Sequence, residues 1–184
     1  TIAPDSFTLN HDSYGNDDTI MFRLVPKVGK NDLAVDIIPL DLPRPGFQAR
    51  FQLRYSNKGT TSFSNPFVKF VTDSTLEIMG AEPMYDSISG DTLIWRIGPL
   101  NPMDSSSILI NGTLKRPPIL SLGDTLNKYA VIEPFDNDET PVNNSQHLQQ
   151  IARGSFDPND KNEFHAGHIT AALLKSDRLH YLIR

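Results

Sequence analysis

The chain has 184 residues, 38% of them hydrophobic and 21% charged, with a formal net charge of −5 and no cysteine. That length suits one principal domain with its own core plus shorter extras. The acidic balance without a basic cluster argues against a nucleic-acid partner; the lack of cysteine removes disulfide frameworks, thiolate metal sites and thiol nucleophiles; and no apolar run is long enough for a helix to cross a bilayer, so membrane insertion is not expected.

From the N-terminus, a polar, turn-rich stretch (Asn10 to Asp18) leads into Ile20-Met21-Phe22-Arg23-Leu24-Val25. This reads as a last strand with no sheet of its own, so residues 1–30 are expected to be the tail of a preceding β domain. A run near Asp32 opens the main unit. Ala49, Phe51, Leu53 and Tyr55 then alternate with Gln48, Arg50, Gln52 and Arg54. Period two makes this a half-buried strand, and a one-residue slip would bury two arginines, so the register is strongly set. Phe67 to Val71 and Thr75 to Gly80 are further candidates. Leu93, Trp95 and Ile97 carry the only tryptophan, expected to anchor the core. Ile108, Ile110, Gly112 and Leu114 continue the pattern until Pro117-Pro118 stops it. Asn127 to Ile132 and His147 to Ala152 complete about eight short strands between turn signals. Asn57 and Gly59 are expected to supply positive-φ positions of a tight turn, and Pro45-Gly46 another. The one helical candidate, Ile169 to Lys175, is short.

The fold class read from this pattern is all-β: an immunoglobulin-like antiparallel β-sandwich over residues 31–153, with partial neighbouring domains at both ends. Residues 154–184 are expected to be a linker and, from Leu179 onward, the first strand of a following β domain.

Several pieces then carry a resemblance. They are Asp32-Leu33-Ala34-Val35, Arg44-Pro45-Gly46-Phe47, Leu53 to Thr60, Gly90 to Trp95, Ile97-Gly98-Pro99-Leu100, Asp136-Asn137-Asp138 with Asn143-Asn144, and Gly154-Ser155-Phe156-Asp157-Pro158-Asn159-Asp160-Lys161. In this order they resemble repeat β-sandwich modules, CARDB-like and of the adhesion type, in Bacteroidota secreted or surface proteins exported by the type 9 secretion system. Asn101-Pro102-Met103-Asp104 departs from the family's Pro-Gly turn. The resemblance implies a non-catalytic structural, spacer or adhesion module of a large extracellular or cell-surface protein, with neighbouring domains of the same polypeptide as its partners.

The residues agree with a non-enzyme. There is no Gly-x-Ser-x-Gly elbow, Gly-rich phosphate loop or His-Glu-x-x-His motif. His165 and His168 read as linker histidines, because Gly167 breaks any helix that would align them. Phe47, Phe63, Phe67, Phe70 and Tyr85 read as core packing before they read as a sugar platform. An alternative function, an accessory glycan- or protein-binding module of a secreted enzyme, stays open through loops at one end of the sandwich.

Two sets of candidate sites remain. Calcium is the candidate cofactor, because Asp136, Asp138 and Asn143, with Asn137, Glu139 and Asn144, form one oxygen-rich loop, and Asp157, Asn159 and Asp160 form a second. Asp and Asn are also the commonest turn formers, which is the competing reading. In addition, eight of the 17 aspartates precede Ser or Thr, where 27 such residues in 184 would give about two and a half by chance. The sites at Thr19, Ser74, Ser87, Thr92 and Thr125 resemble the Asp-Ser/Thr-apolar acceptor motif for O-glycosylation in the same bacteria. The alternative is that these aspartates begin turns.

Overall fold

The computed structural model describes residues 2–3, 6, 8, 19, 21–154, 161–163 and 181–183, with backbone alone at 2–3, 161–163 and 181–183. The chain forms two compact units, Thr1–Arg153 and Gly154–Arg184.

In the first unit, β1 (Ile2–Ala3) and β2 (Arg23–Leu24) form a short antiparallel ladder. The segment expected to be a strand without a sheet thus has a partner, twenty residues upstream in the chain at Ala3. Nine strands follow: β3 (Leu33–Pro39), β4 (Gln48–Asn57), β5 (Phe67–Val71), β6 (Leu76–Glu82), β7 (Ser87–Ser89), β8 (Thr92–Arg96), β9 (Ser105–Leu114), β10 (Thr125–Glu133) and β11 (Ser145–Ile151). One sheet runs β3-β4-β9-β6 and the other β11-β10-β5-β8-β7, with antiparallel pairing throughout. This is the spatial arrangement of an immunoglobulin variable-type sandwich, four strands facing five. The chain departs from it by visiting β6 before the β7–β8 hairpin.

Alternation builds the core. Ala49, Phe51, Leu53 and Tyr55 of β4 are buried, and Phe51 lies opposite Ile110 of β9 and Pro39 of β3. Phe51 reaches Phe70 of the other sheet with ring centroids 5.8 Å apart. Trp95 is buried, donates its indole N–H to Pro83 O at 2.9 Å, and meets Tyr85 edge-on at 6.2 Å. Both polar and apolar parts of the indole are therefore satisfied inside the protein. Phe63 and Tyr85 pack half-buried against this core, whereas Phe47 is exposed.

Two readings need correction. β7 is a ninth strand; all three of its residues are exposed, so it has no inward face to signal its presence. Neither Asn57 nor Gly59 takes a positive φ. Asn57 is instead buried at the end of β4, donating to Thr61 O at 2.7 Å and Leu100 O at 3.0 Å and accepting from Gly59 N at 3.0 Å. A Cβ on Gly59 would lie 2.3 Å from Lys30 O, so glycine is required there by close backbone approach. Gly46 does turn with φ +81°. The divergent turn is closed by Met103 at φ 70° and by Asp104, whose carboxylate accepts from Asn101 N at 2.8 Å.

In the second unit, β12 (Lys161–Glu163) pairs antiparallel with β13 (Tyr181–Ile183). The helical candidate Ile169 to Lys175 and the histidines at 165 and 168 lie outside the described residues.

Candidate functional site

The polar chemistry of the sandwich gathers at two places. The first is the clasp between the start of β3 and the β10–β11 loop, which contains a 3-10 turn at Pro141–Asn144. Asp138 accepts from Leu33 N at 2.9 Å, from Asn144 Nδ2 at 3.2 Å and from Thr140 N at 2.8 Å. Asn144, 2% exposed, also donates to Leu33 O at 2.7 Å. Asp32 accepts from Asn143 Nδ2 at 2.8 Å and from the Thr140 hydroxyl at 3.4 Å. Lys30 pairs with Glu139 at 2.7 Å, and Asn31 Nδ2 donates to Asp136 O at 3.2 Å.

These bonds serve an edge strand. β3 ends its sheet, and its outward N–H groups at Leu33 and Ile37 are taken by the side chains of Asp138 and Gln146. Occupying such groups denies them to a foreign strand. Of the residues expected to bind calcium, Asp138 and Asn143 meet in this clasp, while the Asp136 side chain is exposed. Asp157, Asn159 and Asp160 lie outside the described residues. Among the described residues, no three His, Cys, Asp or Glu side chains converge as metal ligands.

The second place was not legible as a site. Lys128 occupies an inward position of β10 between Leu126 and Ala130 and is 1% exposed. Its ammonium lies 2.9 Å from Asp73 Oδ1 and donates to Asn127 O at 3.2 Å. Asp73, in the β5–β6 turn, also accepts from the Thr75 hydroxyl, from Thr75 N at 2.9 Å and from Asn127 N at 3.2 Å. Burial works against the Asp73 carboxylate, but the hydrogen bonds from Thr75 and Lys128 outweigh it and hold its pKa below the usual value. Burial pulls the Lys128 ammonium below its usual range, opposed by Asp73. A third pair, Arg50 to Asp41 at 2.9 Å, ties the loop after β3 to β4; the hydrogen bond from Arg50 lowers the Asp41 pKa.

Among the glycosylation candidates, Thr19, Ser74, Ser87 and Thr125 are exposed and Thr92 is half-buried. The aspartates before Ser or Thr have structural work at three turns, Asp73 as above, Asp104 accepting from Asn101 N and Asp124 from Ser121 N at 2.7 Å, while Asp86 accepts from Arg96 N at the end of β8 at 2.6 Å. Turn capping accounts for Asp73, Asp104 and Asp124, and a cross-strand bond for Asp86. On the surface, Phe135 is half-exposed beside Phe67 at an opening of about 380 Å³ also lined by Asn65 and Glu133.

No family model matches the sequence, and no curated protein matches it. Similar solved structures exist. The crystal structure of the CARDB domain of the PF1109 protein from Pyrococcus furiosus, in complex with di-metal ions, is 14% identical, with a TM-score of 0.49 over 71% of this chain and 94% of that one. The solution structure of the same domain is 13% identical, with a TM-score of 0.47 over 67% and 96%. AvmM, which catalyzes macrocyclization in alchivemycin A biosynthesis, is 13% identical, with a TM-score of 0.42 over 72% and 98%. The order and antiparallel pairing of the two sheets make the fold an immunoglobulin-like β-sandwich.

Proposed function

We propose that the chain is a non-catalytic structural or adhesion module of a large extracellular or cell-surface protein, held between neighbouring domains of the same polypeptide. The observation that carries this reading is the bracing of the sandwich: Arg50 with Asp41 and Lys128 with Asp73 form ion pairs that each tie a loop to a strand. Their charge is used to hold the sandwich together.

Export by the type 9 secretion system of a Bacteroidota species, and O-glycans on Thr19, Ser74, Ser87, Thr92 and Thr125, belong to the same proposal. They are supported by the ordered motifs, the closing Gly154 to Lys161 string above all, and by the exposure of four of the five hydroxyl residues. Unmodified peptides spanning all five positions in natively made protein would remove the glycans and leave the module reading intact.

One observation favours the accessory-binding alternative: the Phe135 and Phe67 surface, where an aromatic face borders amide and carboxylate groups. A glycan array and a pull-down with the 184-residue chain decide between the two. The spacer reading expects silence in both; saturable binding lost in Phe135→Ala would replace it with the binding-module reading.

A further inference from the structure

The two ends of the sandwich carry opposite charge. The loops before β3, after β4, after β8 and after β10 share one end, where Met103 N donates to Asn57 O and Asn143 Nδ2 to Asp32. The loops after β3, β5, β7 and β9 share the other with the exit from β11, where Arg153 N donates to Pro43 O, Lys115 N to Thr75 O and Thr72 N to Asp91 O. Lys30 with Glu139 cancels at the first end, and Asp41 with Arg50 and Asp73 with Lys128 cancel at the second. What remains at the first end is Lys27 and Lys58 against Asp32, Asp104, Asp136 and Asp138, a net of −2. At the second, Arg44, Lys115, Arg116 and Arg153 stand against Asp91 and Asp124, a net of +2.

Each end also exposes apolar side chains. At the acidic end Met103 is 82% and Val142 81% exposed. Met103 holds φ 70°, an unfavourable backbone for a bulky side chain, yet it packs against nothing in its own sandwich that would offset this. At the basic end the exposed Leu40, Leu42 and Phe47 line an opening of about 370 Å³ together with Arg44. The Arg44 Nε is buried and has no hydrogen-bond partner, so a donor is left without an acceptor. Arg116 lies against the same turn, its Cγ only 2.9 Å from where a Cβ on Gly46 would stand. The basic opening is thus apolar within and bordered by arginine, and the acidic end presents apolar tips beside carboxylates.

We propose that this chain associates head to tail with a second copy of itself, the acidic Met103 and Val142 end of one copy seating against the Leu42 and Phe47 opening of the next. Opposite charges draw unlike ends together, and like charges set like ends apart. The contact joins two different surfaces, so copies add in a row instead of closing as a two-fold dimer. The end of a sandwich is a small contact, which makes the association weak between free chains. Copies linked in one polypeptide meet at effective concentrations of roughly millimolar, where such a contact would stiffen the row. That use rests on the module reading; the association itself does not.

Sedimentation of the 184-residue chain over a concentration series reaching about 1 mM, in roughly 20 mM and 500 mM salt, tests it. The expected result is a mean mass that rises with concentration in low salt, with association at least about fivefold weaker in high salt. Val142→Arg blocks the acidic end and Leu42→Asp the basic end; both side chains are exposed, so melting should stay within about 2 °C of the parent. Either variant alone should associate at least about tenfold more weakly, because every contact then includes a blocked end. Mixing the two leaves one intact end on each, and they should pair with the parent's affinity and stop at a dimer. A monomer at every concentration in low salt overturns the proposal and leaves the module reading standing, since that reading needs no contact between copies. Association of either variant alone at the parent's strength, or a mixture that stays monomeric, overturns it equally.

Discussion

The two polar centres of the sandwich solve the same problem in opposite ways. At Lys128 and Asp73, a buried ammonium meets a carboxylate that has further donors of its own, so charge is neutralised within the protein. At Asp32 and Asp138, two carboxylates meet neutral donors only, and two amide oxygens remain orphaned. The difference follows from location. Lys128 projects from a central strand into the core, where an isolated charge is very costly. The acids lie at the margin of an edge strand and are partly open to solvent, where a charge without a counter-ion costs less.

The sharpest way to break this contrast is Asp73→Ala, which leaves Lys128 buried without a counter-charge and should cost about 3–5 kcal/mol in chemical denaturation. Lys128→Met should cost less, under about 2 kcal/mol, because a Met side chain fills the core position and Asp73 keeps Thr75 and Asn127 as donors with a third of its side chain exposed. Equal losses for the two variants would mean that the pair is not asymmetric in the way its burial implies.

Acid should act through the same pair. Asp73 has a folded pKa below its ordinary 3.8, so its contribution is fully present above that value and is lost as pH falls through the lower folded value. Stability should therefore decline below about pH 4, and less steeply in Asp73→Asn. Lys128 acts at the other end: its folded pKa lies below 10.5, so the unfolded chain holds the extra proton in that window and stability gains from this group as pH rises toward 10.5. The smallest effect is expected at the clasp, where Asp32→Asn exchanges one acceptor for another and should change stability by less than about 1 kcal/mol. A larger loss would show that the Asp32 charge itself holds the loop.

The sheets were legible in the sequence because burial follows period two: Ala49 to Tyr55 and Ile108 to Leu114 face inward as their alternation requires. β7 was not, since an edge strand with Ser87, Ile88 and Ser89 all exposed carries no apolar phase. Lys128 interrupts an inward row with a residue that normally signals solvent, and nothing in the local pattern says that Asp73, 55 residues earlier, waits for it. Asn57 and Gly59 look like turn formers, but their roles depend on Leu100 and Lys30, which only the fold brings near. The clasp was half legible: its loop is dense in oxygen, yet Asp32 and the orphaned amides emerge only from side-chain geometry.

Whether this sandwich works as a module outside the cell is tested most directly by labelling intact cells of the organism that makes it with a membrane-impermeant amine reagent, then fractionating them. The account predicts that the protein is labelled before lysis, at the surface or in the medium. Recovery of the folded protein only from the cytosol, labelled only after lysis, would contradict it.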